Sequence, residues 1–178
     1  GVGSSNAFTI DHDGSHTSLQ NSTGNLIIRN YADDGDIIFQ SDDQSGGVTT
    51  YFTVDGSTGY VRFEDNRRIA VGSSDDMHIL HDGADNYIKG ETGDLHIRND
   101  ANDKDIVLSS DDGSGNVTAY LTLDGSETRI VVAKAMRFND STSLQLGSDA
   151  DIQMHHDGSN GYFSNITGDL YIRNSADD

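Results

Sequence analysis

The triplet His-Asp-Gly occurs three times, at His12-Asp13-Gly14, His81-Asp82-Gly83 and His156-Asp157-Gly158. The spacings are 69 and 75 residues (81 − 12 and 156 − 81), and Thr-Gly follows at one fixed distance, at Thr23-Gly24, Thr92-Gly93 and Thr167-Gly168. Residues 23–57 align without gaps on 92–126, with 22 of 35 positions identical. Self-similarity at a long period means that one structural unit is used several times, which narrows the fold to repeat architectures. Two complete copies (7–75 and 76–150) and the start of a third (151–178) account for the chain, so 1–178 reads as a single repetitive fibre segment. The second copy is six residues longer than the first (75 − 69). The insertion is expected between the Asp124-Gly125-Ser126 turn and Met136, where the short link 57–60 of the first copy becomes 126–135. Beyond it Arg62-Phe63 aligns with Arg137-Phe138, and Ile69/Val71 with Leu144/Leu146. The third copy stops in mid-repeat without the polar capping unit that closes natural arrays, so an interior stretch of a longer protein is expected.

Within each copy, apolar residues alternate at period two, the mark of short strands. The first copy gives Phe8/Ile10, Leu26/Ile28, Ile37/Phe39, Phe52/Val54, Val61/Phe63 and Ile69/Val71, with a weaker strand around Leu19. The second gives Met77/Ile79, Leu95/Ile97, Ile106/Leu108, Leu121/Leu123, Met136/Phe138 and Leu144/Leu146. Between them stand Asp-Gly, Thr-Gly and Ser-Asp-Asp. Of 30 acidic residues only Glu64, Glu91 and Glu127 are not Asp, and there are 20 Gly. Asp side chains satisfy turn backbones and Gly supplies positive φ, so this is turn chemistry rather than helix chemistry. The fold class is all-β, with strands of about four residues spaced for a sandwich or a solenoid; the long period favours an elongated repetitive β-helix or β-solenoid.

Only 33% of residues are hydrophobic and there is no Trp. About two apolar residues per strand face inward, too little to offset the ordering entropy of an isolated unit. Three chains wound about one axis would bring those pairs to a shared seam and cover the strand edges, so an intertwined homotrimer is expected rather than a single-chain solenoid. The net charge of −19 disfavours nucleic acid and anionic membrane surfaces, both of which need a basic patch. There is no Cys, hence no disulfide or thiolate metal site. No signal-peptide pattern opens the sequence and no stretch is long enough to span a membrane.

The string Asp-Ile-Gln-Met-His-His-Asp-Gly-Ser-Asn-Gly-Tyr (151–162), followed by Thr-Gly-Asp-Leu-Tyr-Ile-Arg-Asn (167–174), resembles the repeats of tail-fibre and other structural proteins of marine bacteriophages. The second copy carries the corresponding string as Asp-Met-His-Ile-Leu-His-Asp-Gly-Ala-Asp-Asn-Tyr (76–87). The resemblance covers essentially the whole chain. It implies a homotrimeric appendage on the outside of the virion, joined to other fibre or baseplate proteins. The host receptor would be met by a part outside this segment. The implied function is a structural shaft, without enzymatic activity or membrane insertion. The alternative is a single-chain β-solenoid of a secreted bacterial adhesin that binds Ca²⁺ or carbohydrate.

Candidate chemistry starts with the repeated His12, His81 and His156. Each falls on the face of its apolar pair (Phe8/Ile10, Met77/Ile79, Ile152/Met154), so a trimer would set three imidazoles around the axis, able to hold a metal ion or, protonated, an anion. The plainer reading is a strand-end His that bonds a neighbouring turn. Some phage fibres hold iron axially through His-x-His. That spacing is absent here: His78 and His81 are three apart, and His155 and His156 are adjacent on opposite faces. Ca²⁺ takes oxygen ligands, for which Asp33/Asp34/Asp36, Asp42/Asp43 and Asp111/Asp112 are candidates beside their reading as solvated turn acids. No EF-hand or calcium β-roll spacing occurs. Arg29, Arg98 and Arg173 are expected to pair with Asp on a neighbouring rung or chain. Tyr87/Tyr162 and Tyr51/Tyr120 suit cross-strand packing or stacking on sugar rings. No nucleophile elbow, metalloprotease motif or singular pair of facing carboxyl groups appears, so no catalytic or cofactor-binding residue is assigned.

Overall fold

A computed structural model describes residues 7–174, in which 14 strands and no helix are found. The chain divides into two compact units, Gly1–His96 and Ile97–Asp178. In the first unit, β1 (Phe8–His12) and β2 (Thr17–Asn21) form a hairpin. It is followed by two three-stranded meanders: β3 (Ile37–Asp42), β4 (Val48–Asp55) and β5 (Tyr60–Phe63), then β6 (Ile69–Val71), β7 (Met77–His81) and β8 (Asn86–Gly90). The second unit repeats the two meanders as β9 (Ile106–Asp111), β10 (Val117–Asp124) and β11 (Arg129–Val132), then β12 (Leu144–Leu146), β13 (Ile152–His156) and β14 (Gly161–Asn165). Every pairing is antiparallel and joins strands consecutive in sequence. Two pairings cross the copy boundaries: β6 of the first copy pairs with β7 of the second, and β12 of the second with β13 of the third.

The period-two pattern becomes one apolar face per meander. Ile37↔Val54↔Val61 and Phe39↔Phe52↔Phe63 stand opposite one another across β3, β4 and β5. The matching rows in the second unit are Ile106↔Leu123↔Ile130 and Leu108↔Leu121↔Val132. A register shift interrupts the ladder beside Tyr51 and again beside Tyr120. The extra residue of such a bulge re-aims its side chain, so each Tyr hydroxyl donates back to its own hairpin, Tyr51 to the Asp42 carbonyl at 2.9 Å and Tyr120 to the Asp111 carbonyl at 2.8 Å.

Two strand expectations are corrected. Leu26/Ile28 and Leu95/Ile97 alternate, yet their segments pair with no strand. Each leads instead into an asparagine clamp: Asn30 Nδ2 donates to the Asp36 carbonyl at 2.9 Å while its Oδ1 accepts from the Ala32 amide, and Asn99 does the same with Asp105 and Ala101. Asp36 Oδ1 and Asp105 Oδ1 then accept from Gly56 and Gly125 in the distant β4–β5 and β10–β11 turns. Those two glycines pass so close to the Gly35 and Lys104 carbonyls that a Cβ would collide with backbone. The second correction concerns the insertion. The links 56–59 and 125–128 are equally long, so the strand that follows β10 is Arg129–Val132 and not the segment around Met136/Phe138. The extra six residues fall after β11, where 133–143 replaces 64–68 (11 − 5).

None of these faces is covered. Among the described residues no apolar side chain is buried; the buried ones are Thr53, Asp55 and His78, each at 5% exposure or less. A sheet with one apolar face needs a second layer, and the described residues do not supply one.

The asparagine clamp is therefore part of what orders each unit. Asn99→Ala removes two side-chain hydrogen bonds, each with a net contribution of about 0.5–1.5 kcal/mol. A loss of about 1–3 kcal/mol in urea unfolding is expected; a variant as stable as the parent would show that the clamp contributes nothing.

Candidate functional site

The His-Asp-Gly triplets form the turns of the β1–β2, β7–β8 and β13–β14 hairpins, whose registers close at His12↔Thr17, His81↔Asn86 and His156↔Gly161. The Asp carboxylate caps the turn. Asp13 Oδ1 accepts from the Ser15 and His16 amides at 2.8 and 2.7 Å, Asp82 from Ala84 and Asp85 at 2.9 and 2.8 Å, and Asp157 from Ser159 and Asn160 at 2.8 and 2.7 Å. Gly14, Gly83 and Gly158 sit at φ of 97°, 98° and 99°, a region costly for any residue with a Cβ.

The His closes the motif. His81 Nδ1 lies 2.9 Å from Asp65 Oδ1 and 3.1 Å from the Gly83 amide; His156 Nδ1 lies 2.8 Å from Asp140 Oδ1 and 3.1 Å from the Gly158 amide. One ring nitrogen cannot serve both partners at once. Carrying a proton it donates to the carboxylate; without one it accepts from the glycine. The neighbouring turn reinforces the arrangement, since the Asn66 and Ser141 amides donate to the His81 and His156 carbonyls. His12 instead places Nδ1 3.0 Å from the His16 carbonyl and 3.2 Å from Thr17 Oγ1. In each copy the ring is engaged by a turn.

Of the Asp clusters considered for Ca²⁺, Asp42/Asp43 and Asp111/Asp112 are turned toward amides in the same way. Asp43 Oδ1 accepts from Ser45 and Gly47, Asp112 Oδ1 from Ser114 and Asn116, and Asp42 and Asp111 each accept one further amide. Among the described residues, no three His, Asp or Glu side chains converge as a metal site. The repeated arginines contact near neighbours within the chain: Arg29 bonds the Tyr31 hydroxyl, Arg98 pairs with Asp100, and Arg173 lies over the Tyr171 ring. Of the tyrosines, Tyr162 donates to Asp157 Oδ2 at 2.8 Å and stacks on His155.

Sequence reasoning missed a set of side chains that occurs once and lies within the first unit. Phe39, Phe52 and Phe63 stack in a row, with ring centroids 4.3 and 5.6 Å apart. Beside them the Arg67 guanidinium sits 5.4 Å from the Tyr51 ring centroid, and its Nη2 donates to Thr49 Oγ1 at 3.0 Å. Arg68 lines the same groove of about 390 Å³. On the other side of Arg68, Lys89 holds Glu91 at 2.7 Å above the buried His78, whose Nε2 has no partner. The one signal was that Arg67-Arg68 is the only adjacent basic pair, aligned with Thr142-Ser143 of the next copy.

Comparison with family models, curated proteins and solved structures found no match for this chain.

The capped turns have an electrostatic consequence. The amides of Asn160 and Ser159, with the Tyr162 hydroxyl, hold the Asp157 carboxyl down at about 2. Asp13, Asp43, Asp55, Asp82, Asp112 and Asp124 are lowered as well, each chiefly by hydrogen bonds from its own turn. A folded value below the unfolded one, near 3.9, stabilises the fold fully above that pH and is lost as pH falls through the folded value. The β circular dichroism should hold down to about pH 4 and decay toward about pH 2. Signal unchanged at the lower limit would contradict the assignment.

Proposed function

We propose that this chain is a segment of the shaft of a homotrimeric phage fibre, an outer virion appendage that spaces a receptor-binding tip from the particle. The observation that carries the reading is the complete absence of buried apolar side chains among the described residues, set against rows of aligned apolar residues on every meander. A chain so built is half of an interface. Other copies of itself are the simplest source of the second layer, and three chains about one axis would bring the aligned rows to a common seam. The free edges of the small sheets offer unpaired backbone groups to the same neighbours. In this arrangement the chains would form the β-helix together, because the pairings within one chain are all local. The sequence resemblance to marine phage fibres points the same way. The role is mechanical: interchain contact resists bending and proteolysis, and no reaction is assigned.

Light scattering on the folded segment should give about three times the chain mass of 19.2 kDa. A folded species with the mass of one chain would overturn the trimer. Three chains at −19 carry −57, and repulsion among exposed charges is screened as the Debye length falls from about 30 Å at 0.01 M salt to about 3 Å at 1 M. The melting temperature of the assembly is expected to rise across that range. A flat dependence would remove interchain repulsion from the account.

A further inference from the structure

We infer that Arg67 and Arg68, beside the aromatic row of Phe39, Phe52 and Phe63, form a socket for an aspartate side chain of a second copy of this chain, and that this contact sets the axial register between copies. The inference rests on the oligomeric reading above.

The first argument is charge. The chain has 30 acidic and 11 basic residues, not counting His, so a second copy offers carboxylates to any cation left unpaired. Among the described residues Arg62, Lys89, Arg98 and Arg129 hold a carboxylate; Arg29, Lys104, Lys134, Arg137 and Arg173 do not, so what sets Arg67 and Arg68 apart is that two unpaired arginines are adjacent. Arg67 and Arg68 form no ion pair with a described residue. The Arg67 side chain donates to a hydroxyl and rests on a ring, which leaves its charge uncompensated. Arg68 makes no side-chain hydrogen bond to a described residue; the carboxylate it acts on, Glu91, is already held by Lys89 at 2.7 Å.

The second argument is position. Both arginines line the groove whose floor is the exposed aromatic face, the surface that a neighbouring copy has to cover. A planar guanidinium beside apolar rings binds a carboxylate well, because covering the rings removes water from the pair. Every approaching copy carries carboxylates in excess.

The third argument is singularity. Chains built of near-identical copies can slip by one repeat and keep most of their apolar contacts, as strands with repetitive faces do. The second copy has Thr142-Ser143 where the first has Arg67-Arg68, and Leu108, Leu121 and Val132 where it has the three Phe. A slipped neighbour loses the ion pair where the aspartate is itself unrepeated, as Asp85 is, aligned with His16 and Asn160 of the other copies. One unrepeated polar contact in a repeated seam is a known way to specify register.

The test compares the parent with Arg68→Gln, with Arg67→Gln/Arg68→Gln and with Arg67→Lys/Arg68→Lys. Each carries one spin label on a cysteine introduced at Ser114 of this Cys-free chain. Mass is read by light scattering, folding by circular dichroism and interchain distance by double electron–electron resonance. The parent should give one short distance, the Lys variant the same, and both Gln variants an added longer population at unchanged mass. Gln variants that are trimeric with the single parental distance would overturn the inference and leave the trimer standing. A monomeric parent would overturn both. Polygalacturonate that raises the parent's melting temperature but not that of the Gln variants, with distances unchanged, would reassign the socket to an acidic saccharide.

Discussion

The fold hangs on the hydrogen bond from a backbone amide to an aspartate carboxylate. In an ordinary domain, turns follow from the packing of the elements they join. Here no apolar side chain of the described residues is buried, and the turns hold the strands. Asp13, Asp43, Asp82, Asp112 and Asp157 each take at least two amides of their own turn, and Asp36 and Asp105 reach across to Gly56 and Gly125. A charged acceptor makes a stronger hydrogen bond than a neutral one and can stay at the surface while doing so. That explains the preference for Asp over Glu, whose longer side chain suits turn amides less well. The high negative charge is then a by-product of turn chemistry.

This arrangement fixes local geometry but leaves the apolar faces open. Small sheets of two or three strands are marginal in water unless a hydrophobic face is covered. The rows from Ile37 to Val61 and from Phe39 to Phe63 are already aligned before any partner arrives, so association would cost little further ordering of the strands. Order within a chain would come from capped turns, and stability of the whole from contact between chains. Burial of apolar surface persists at high ionic strength, while like-charge repulsion between acidic turns fades.

Period-two alternation was enough to place most strands, because each meander strand has one apolar face and turn residues at both ends. It failed where alternation occurs without a ladder partner. Leu26/Ile28 and Leu95/Ile97 look like strands, but Asn30 and Asn99 divert the backbone that follows into a side-chain clamp. It failed also at Met136/Phe138, where similarity of sequence and similarity of structure diverge. In the first copy Phe63 both ends β5 and lies over the next meander beside Ile69 and Ile79. In the second copy Val132 has the first task and Phe138, beside Leu144 and Met154, the second. Alignment followed the Phe, whereas the ladder followed the distance from the preceding turn. The His-Asp-Gly motif was recognisable as a turn, but its bonds to Asp65 and Asp140, 16 residues away in both copies, were not.

Repetition also changes what counts as a functional signal. In a globular protein a recurring cluster attracts attention. In this chain whatever recurs (the capped turns, the Asn clamp, the Tyr-bearing bulges) is explained by the need to build the same unit again. Chemistry that the architecture does not require must be sought in the departures from the repeat. Arg67 and Arg68, the Phe row and the buried His78 are such departures, and all lie within one stretch of the first unit. The six added residues after β11 are another: they separate two tasks that Phe63 performs alone. Departures of this kind make the copies unequal, and inequality is what a stack of similar units needs if its chains are to find a single alignment.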